Sequence, residues 1–192
     1  VTEYLVDLVA NANFMVDADG SGLTGLKDGS VNAIFSGSWD YTGVKEALGD
    51  NFGAAQLPSV NIGGSDKQLL SFGGTKAFGV NPTSENLDVA VSLAMWLARP
   101  EAQKSHYDLR KIVPCNTDLL ADPAIQEDLL VQAQNDTMAN TAFLQPFVPS
   151  MGQYWSPADN FGVAIANKEV TKENAAERTE EFNKALNTSA VS

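Results

Sequence analysis

The chain reads as an α/β protein. Short apolar runs of strand character alternate with longer stretches of helical periodicity, and glycine- and proline-rich segments separate the two. Its 192 residues are 44% apolar and 19% charged, with no low-complexity tract or internal repeat, enough for one large domain or two small ones.

The elements follow in order. Val1 to Val9 reads as the middle of a helix, with Tyr4, Leu5, Leu8, Val9 and Ala12 on one face. The chain has no initiator Met, so a fragment of a longer protein is expected. Asp17 to Gly22 is a turn, and Leu23 to Lys27 a short helix closed by Asp28-Gly29. Val31 to Phe35 has strand character. Ser38 is placed to cap a helix from Trp39 to Leu48, ended by Gly49. Phe52 to Leu57 is a second strand, ended by Pro58, and Asn61 to Lys67 a polar, glycine-rich loop. Leu69–Phe72 and Lys76–Val80 are strand segments around the joint Gly73-Gly74. A helix starting at Pro82-Thr83-Ser84-Glu85 and running to Leu97 is apolar nearly all round, so burial is expected for it and for its Trp96. Pro100 opens the next helix, and Asp122-Pro123 another that ends near Gln134. Ser150 to Ala166 is helical, kinked or restarted at Pro157. The last helix, Thr171 to Leu186, turns Ala175, Thr179, Phe182 and Leu186 inward and pairs Glu180 with Lys184.

Charge and composition narrow the function. Twelve Lys and Arg against 24 Asp and Glu leave a net charge of −12 without a basic run. That argues against nucleic acid or an anionic membrane as partner. Cys115 is the single cysteine, so no intrachain disulfide forms. The apolar stretches fall far short of the roughly 20 residues of a membrane span.

Two tryptophan motifs carry the functional signal. Ser36-Gly37-Ser38-Trp39-Asp40-Tyr41 follows the first apolar run, and Pro149-Ser150-Met151-Gly152-Gln153-Tyr154-Trp155 lies in the last quarter. Each sets aromatic rings beside polar groups at an expected helix start. A sugar offers an apolar C–H face and a rim of hydroxyls. An indole or phenol covers the face, while carboxylates and amides bond the rim. Asp40 suits the accepting role, and Tyr41 can stack or donate. The competing reading for Trp39 and Trp155 is a core aromatic under a helix. Gly73 and Gly74 let backbone approach a ligand, act as a hinge, or simply form a bulge or turn. Gln153, Asp159 and Asn160 suit a sugar's rim but equally a solvated surface.

The order and spacing of these features resemble the C-terminal half of the carbohydrate ABC-transporter solute-binding proteins, the group that includes maltose-binding protein. The resemblance runs from Gly37-Ser38-Trp39 through Leu57-Pro58 and the glycine-rich strand Ser71-Phe72-Gly73-Gly74-Thr75-Lys76-Ala77-Phe78-Gly79-Val80. It continues through the apolar helix ending at Leu97, Arg99-Pro100-Glu101-Ala102, Pro149-Ser150-Met151 and Tyr154-Trp155. It implies a periplasmic-binding-protein fold, mostly one lobe plus part of the second. Residues 1–58 and 135–192 would form the C-terminal lobe, 59–75 the crossing or hinge region, and 76–134 part of the N-terminal lobe. It implies oligosaccharide capture in an interlobe cleft by Trp39, Asp40, Tyr41, Gly73, Gly74, Tyr154 and Trp155, with a membrane permease as partner. It also implies no cofactor, weak binding by the fragment alone, and an exported location, periplasmic or tethered to the outer face of a membrane.

Other readings are weaker. Asp17-Ala18-Asp19-Gly20-Ser21-Gly22 resembles the start of an EF-hand loop, with Asp17, Asp19, Ser21 and Asp28 as candidate ligands. Position twelve is Asp28 where Glu is expected, and position eight is Thr24, so a plain turn is the commoner reading. His106 lies in a polar helix and Cys115 has no paired base, so no catalytic residues are assigned. A glycosidase using paired carboxylates is the alternative among enzymes. An adhesion module is the alternative among binders.

Overall fold

The computed structural model describes residues 1–17 and 20–188. By packing they form two compact units, one of residues 1–34, 59–67 and 145–192, the other of 35–58 and 68–144.

The first unit is built on helices α1 (Thr2–Ala10), α2 (Ser21–Asp28), α9 (Trp155–Ala166) and α10 (Ala175–Thr188). Helix α1 packs on α9 and α10, and Leu5, Val6 and Val9 close over a core of Ala164, Ile165 and Val170. The Phe161 and Phe182 rings stack with centroids 4.8 Å apart. Thr2 and Thr179 share a 2.6 Å hydrogen bond between hydroxyls, and Lys172 pairs with Asp7 at 2.7 Å. Gly29 closes α2 at φ 82°, a left-handed conformation that favours glycine. Pro157 sits in the first turn of α9, where its missing N–H costs no helical bond. Residues 61–67, expected as loop, belong to a hairpin of β1 (Ser59–Ile62) and β2 (Ser65–Gln68). Gly63 and Gly64, both at positive φ, supply the two-residue turn that such a hairpin requires. The alternation of a strand is weak in this polar stretch, so the turn alone signals it.

The second unit contains a 3₁₀ turn (Ser38–Asp40) leading into α3 (Tyr41–Leu48), then β3 (Ser71–Gly73), α4 (Leu87–Leu97), α5 (Pro100–Arg110), α6 (Thr117–Leu120), α7 (Pro123–Gln126), α8 (Leu129–Asp136) and β4 (Ala142–Leu144). Strands β3 and β4 pair in parallel, with Ser71 opposite Ala142 and Gly73 opposite Leu144. Tyr107, Ile125 and Val131 form the core, with Val113, Leu119 and Leu120 against it.

Several expectations are corrected here. The runs 31–35 and 52–57 are not strands, and of the two segments around Gly73-Gly74 only Ser71–Gly73 is one. A strand exists through its neighbour's hydrogen bonds, and among the described residues the runs 31–35, 52–57 and 76–80 are not paired with another strand. Ser38 does not cap; Gly37 precedes the 3₁₀ turn and makes no side-chain cap. Helix α4 starts at Leu87, because Asn81 and Ser84 accept from the backbone N–H groups of Thr83 and Asn86 and hold local turns instead. The single helix expected from Asp122 to Gln134 breaks in two. Asp128 caps the second piece by accepting from the Leu130 N–H, as Asp122 caps the first through Ala124. Helix α10 starts at Ala175 rather than Thr171, and its Glu180–Lys184 pair forms at 2.8 Å.

The largest departure is α4. It contains no buried residue, and Val89, Met95 and Trp96 are 67%, 68% and 54% exposed. An apolar surface is buried only where another element meets it. Among the described elements α5 alone packs closely on α4.

Candidate functional site

The first tryptophan motif is shaped by Gly37. The six-membered ring of Trp39 lies against this residue so closely that any β-carbon there would collide with it. Gly37 has an ordinary negative φ of −112°, so the glycine is required for space rather than for backbone conformation. The other face of the indole is open, and Trp39 is 82% exposed. This disposes of the core-aromatic alternative for Trp39 within the described chain. Asp40 accepts a hydrogen bond from the Ser36 hydroxyl.

Tyr41 is turned the other way. Its ring meets Phe52 edge-on at 5.2 Å, and its hydroxyl donates to Asp128 Oδ1 at 3.2 Å. Asp128 gathers donors from three elements. It also accepts from the Tyr107 hydroxyl through Oδ2 at 2.7 Å and from the Leu130 N–H through Oδ1 at 3.0 Å. The Lys111 ammonium lies 4.0 Å from Oδ2 and 4.4 Å from the centre of the Tyr107 ring. The carboxylate is nearly enclosed, its side chain 10% exposed. Both phenols are pushed above the ordinary tyrosine range, chiefly by burial and then by the Asp128 carboxylate.

Gly73 and Gly74 differ. A β-carbon on Gly73 would meet Ala142 Cβ and Met138 Sδ, both at 2.9 Å, so its smallness serves strand packing. Gly74 faces open space.

In the other unit, the 3₁₀ turn Pro149–Gln153 leads into α9. Tyr154 and Trp155 meet edge-to-face at 5.4 Å, and Trp155 is 51% exposed. The side-chain carbonyl of Gln153, in the same motif, is buried without a hydrogen-bond partner. Asp159 and Asn160 are exposed. Sequence reasoning missed Asp128, whose signal was its place as an N-cap six residues after another, Asp122.

The surface hollows lie elsewhere. A cavity of about 260 Å³ adjoins Tyr41, Phe52 and Asp128, and one of about 250 Å³ adjoins Phe161, Arg178 and Phe182. Neither includes Trp39 or Trp155, and both are smaller than ordinary ligand pockets of about 300–1,000 Å³.

The calcium-loop candidates are only partly covered by the described residues. Asp19 lies outside the described residues, Asp17 packs over Gly22, and Asp28 accepts from the Ser30 N–H at 2.9 Å. That bonding to Ser30 holds the Asp28 carboxyl below its ordinary pKa. Among the described residues no group of three or more His, Cys, Asp or Glu is arranged around a common metal position.

The model of the bacterial extracellular solute-binding protein family matches residues 1–133. The chain belongs to that family. A curated relative, the galactooligosaccharide-binding protein of Bacillus subtilis (strain 168), is 31% identical over 154 residues, covering 80% of this chain and 35% of the relative. A structure solved with acarbose superposes with a TM-score of 0.92 at 45% identity, covering 98% of this chain and 51% of that one. A maltodextrin-binding protein of L. casei BL23, solved without ligand, gives a TM-score of 0.81 at 22% identity, covering 96% and 50%. A cyclo/maltodextrin-binding protein complexed with maltotetraose gives 0.72 at 22%, covering 100% and 48%. This solute-binding protein chain thus has the periplasmic-binding-protein fold and spans about half the length of those solved structures. Among its described residues no helix is long and apolar enough to cross a membrane.

Proposed function

We propose that this solute-binding chain contributes half of an oligosaccharide-binding cleft whose loaded form is read by an ABC-transporter permease. The observation that carries the reading is the pair of open indoles. Trp39 and Trp155 are large apolar rings left 82% and 51% exposed, each at a helix start beside hydrogen-bonding groups. Soluble chains usually bury such rings, and exposed aromatics beside polar groups suit a sugar's two-sided chemistry. The 45% identity to a protein solved with acarbose supports the same ligand class.

The roles are then distinct. Trp39 and Trp155 cover sugar faces, Asp40 accepts from hydroxyls, and Tyr154 braces Trp155 edge-on. Residues 1–58 and 135–192 belong to one lobe, 59–75 to the crossing region and 76–134 to the other lobe. The compact units divide the chain differently: 35–58 and 135–144 group with 76–134, and 59–75 is split after residue 67. Ligand contacts made only in the closed state would supply the differential affinity that drives closure. The protein binds without turnover and works outside the cytoplasmic membrane, in the periplasm or tethered to the membrane's outer face.

The test is calorimetric titration of maltotetraose, acarbose and a galactotriose into the protein at the length of its relatives, beside Trp39→Ala and Trp155→Ala. At least one sugar should bind, and each variant should weaken it tenfold or more with little change in melting temperature. Absence of binding by all three, or unchanged affinity in both variants, would sink the reading. Product release from any of them would favour a glycosidase.

A further inference from the structure

We propose that Asp128 is a positioning residue of the Trp39 site: it locks Tyr41 into the unit's interior so that Trp39, two residues earlier, is held facing out. The inference rests on the proposed sugar-binding role of Trp39 and changes the part played by Tyr41, from sugar contact to brace.

The geometry is more elaborate than an N-cap needs. One bond, accepted by Asp128 from the Leu130 N–H, already caps the start of α8. The carboxylate nevertheless takes the Tyr107 hydroxyl at 2.7 Å from α5 and the Tyr41 hydroxyl at 3.2 Å from α3. Lys111 offsets its charge from 4.0 Å. A nearly enclosed carboxylate with three donors fixes the elements that supply them, because a displaced donor leaves it unpaired. The element gripped on the site side is the first residue of α3. The Tyr41 ring is held as well, edge-on to Phe52. With its hydroxyl and one ring edge engaged inside the unit, Tyr41 orients the turn before it. That turn is Ser38–Asp40, which carries the 82% exposed indole.

Preorganisation of this kind raises affinity by removing the cost of ordering a ring on binding. It therefore has readouts that stability alone does not move. In a Trp96→Phe/Trp155→Phe background, Trp39 is the sole indole, and its time-resolved fluorescence anisotropy reports its freedom without any sugar. Asp128→Ala should add a fast depolarising component, and Tyr41→Phe should do the same. Tyr41→Phe leaves the Asp128 cap intact and decides alone if the alanine variant fails to fold. In the tryptophan-intact protein at the length of its relatives, maltotetraose, acarbose and galactotriose serve as probes. Asp128→Ala and Tyr41→Phe should each weaken binding about three- to tenfold. The double variant should be no more than twofold weaker than either single one, because both cut the same brace.

Unchanged Trp39 anisotropy in Asp128→Ala or Tyr41→Phe overturns the proposal, whatever happens to the melting temperature. Multiplying losses in the double variant also overturn it, since Tyr41 would then touch sugar independently of Asp128. If the unmutated protein binds none of the three sugars, the carbohydrate reading fails, and the anisotropy still decides whether the brace exists.

Discussion

Gly37 and Trp39 make one structural unit out of a three-residue motif. The indole needs the space a side chain at 37 would fill, and the glycine's φ is one any residue can adopt. Gly37→Ala should therefore change the environment of Trp39 more than the stability of the chain. We expect a shifted Trp39 emission in a single-tryptophan background and weaker oligosaccharide binding, with a stability change below about 1 kcal/mol for an exposed turn. An unshifted emission would mean the ring leaves Gly37 in solution. Tyr107 shows the opposite character, buried and bonded to a carboxylate. Tyr107→Phe removes a hydrogen bond to a charged acceptor, for which about 1–3 kcal/mol is usual. Its pKa, like that of Tyr41, is raised from 10.0, which also sets a pH dependence. Above pH 10 the unfolded chain releases these protons while the folded chain keeps them. The contribution is thus complete below pH 10 and is lost as pH rises through the folded values. Urea midpoints measured from pH 8 to 11 should fall above pH 10, and less steeply in Tyr107→Phe.

Elements in this chain are set by caps and turns as much as by apolar pattern. Asp122 and Asp128 each accept a backbone N–H at a helix start, and the second cap is what divides one expected helix into α7 and α8. Asp122→Ala should cost about 1 kcal/mol, read from urea unfolding, with ligand affinity unchanged because the Asp122 carboxylate caps its own helix through the Ala124 N–H. A matching loss of sugar binding would place α7 in the site's support. The hairpin β1–β2 shows the same control by turn chemistry, since Gly63 and Gly64 at φ 60° and 79° form its corner. Conversely, the apolar runs 31–35 and 52–57 have strand composition without strand structure.

At the scale of the whole molecule, the exposed faces of α4 are the dominant fact. Large exposed apolar patches mark interaction surfaces. The chain spans about half the length of its solved relatives, and the proposed lobe assignment puts α4 in the lobe shared with the remainder. We expect Val89→Lys and Met95→Lys to change the stability of this chain by less than about 0.5 kcal/mol, as for other exposed sites. In the protein at the length of its relatives, the same lysines should lower the urea midpoint clearly, because a charge would then be buried. Equal tolerance in both would mean α4 stays uncovered. The isolated chain should also bind a fluorescent apolar dye that the longer protein excludes.

Helix positions were legible from sequence because a helix makes its hydrogen bonds within itself. The periodicity of α1, the proline at the start of α5, Gly29 after α2 and the Glu180–Lys184 pair all operate within a few residues. The two tryptophan motifs are local in the same way, each a ring beside polar groups at a helix start. Strands, burial and the roles of individual site residues were not, because each depends on what lies across space. Only tertiary structure paired β3 with β4 over about seventy residues of chain and left α4 uncovered despite its composition. Only it turned Tyr41 inward to Asp128, 87 residues away, while leaving Trp39 outward. A sequence specifies which groups are chemically able to meet a sugar; which of them the fold spends on holding itself together is decided by partners distant in the chain.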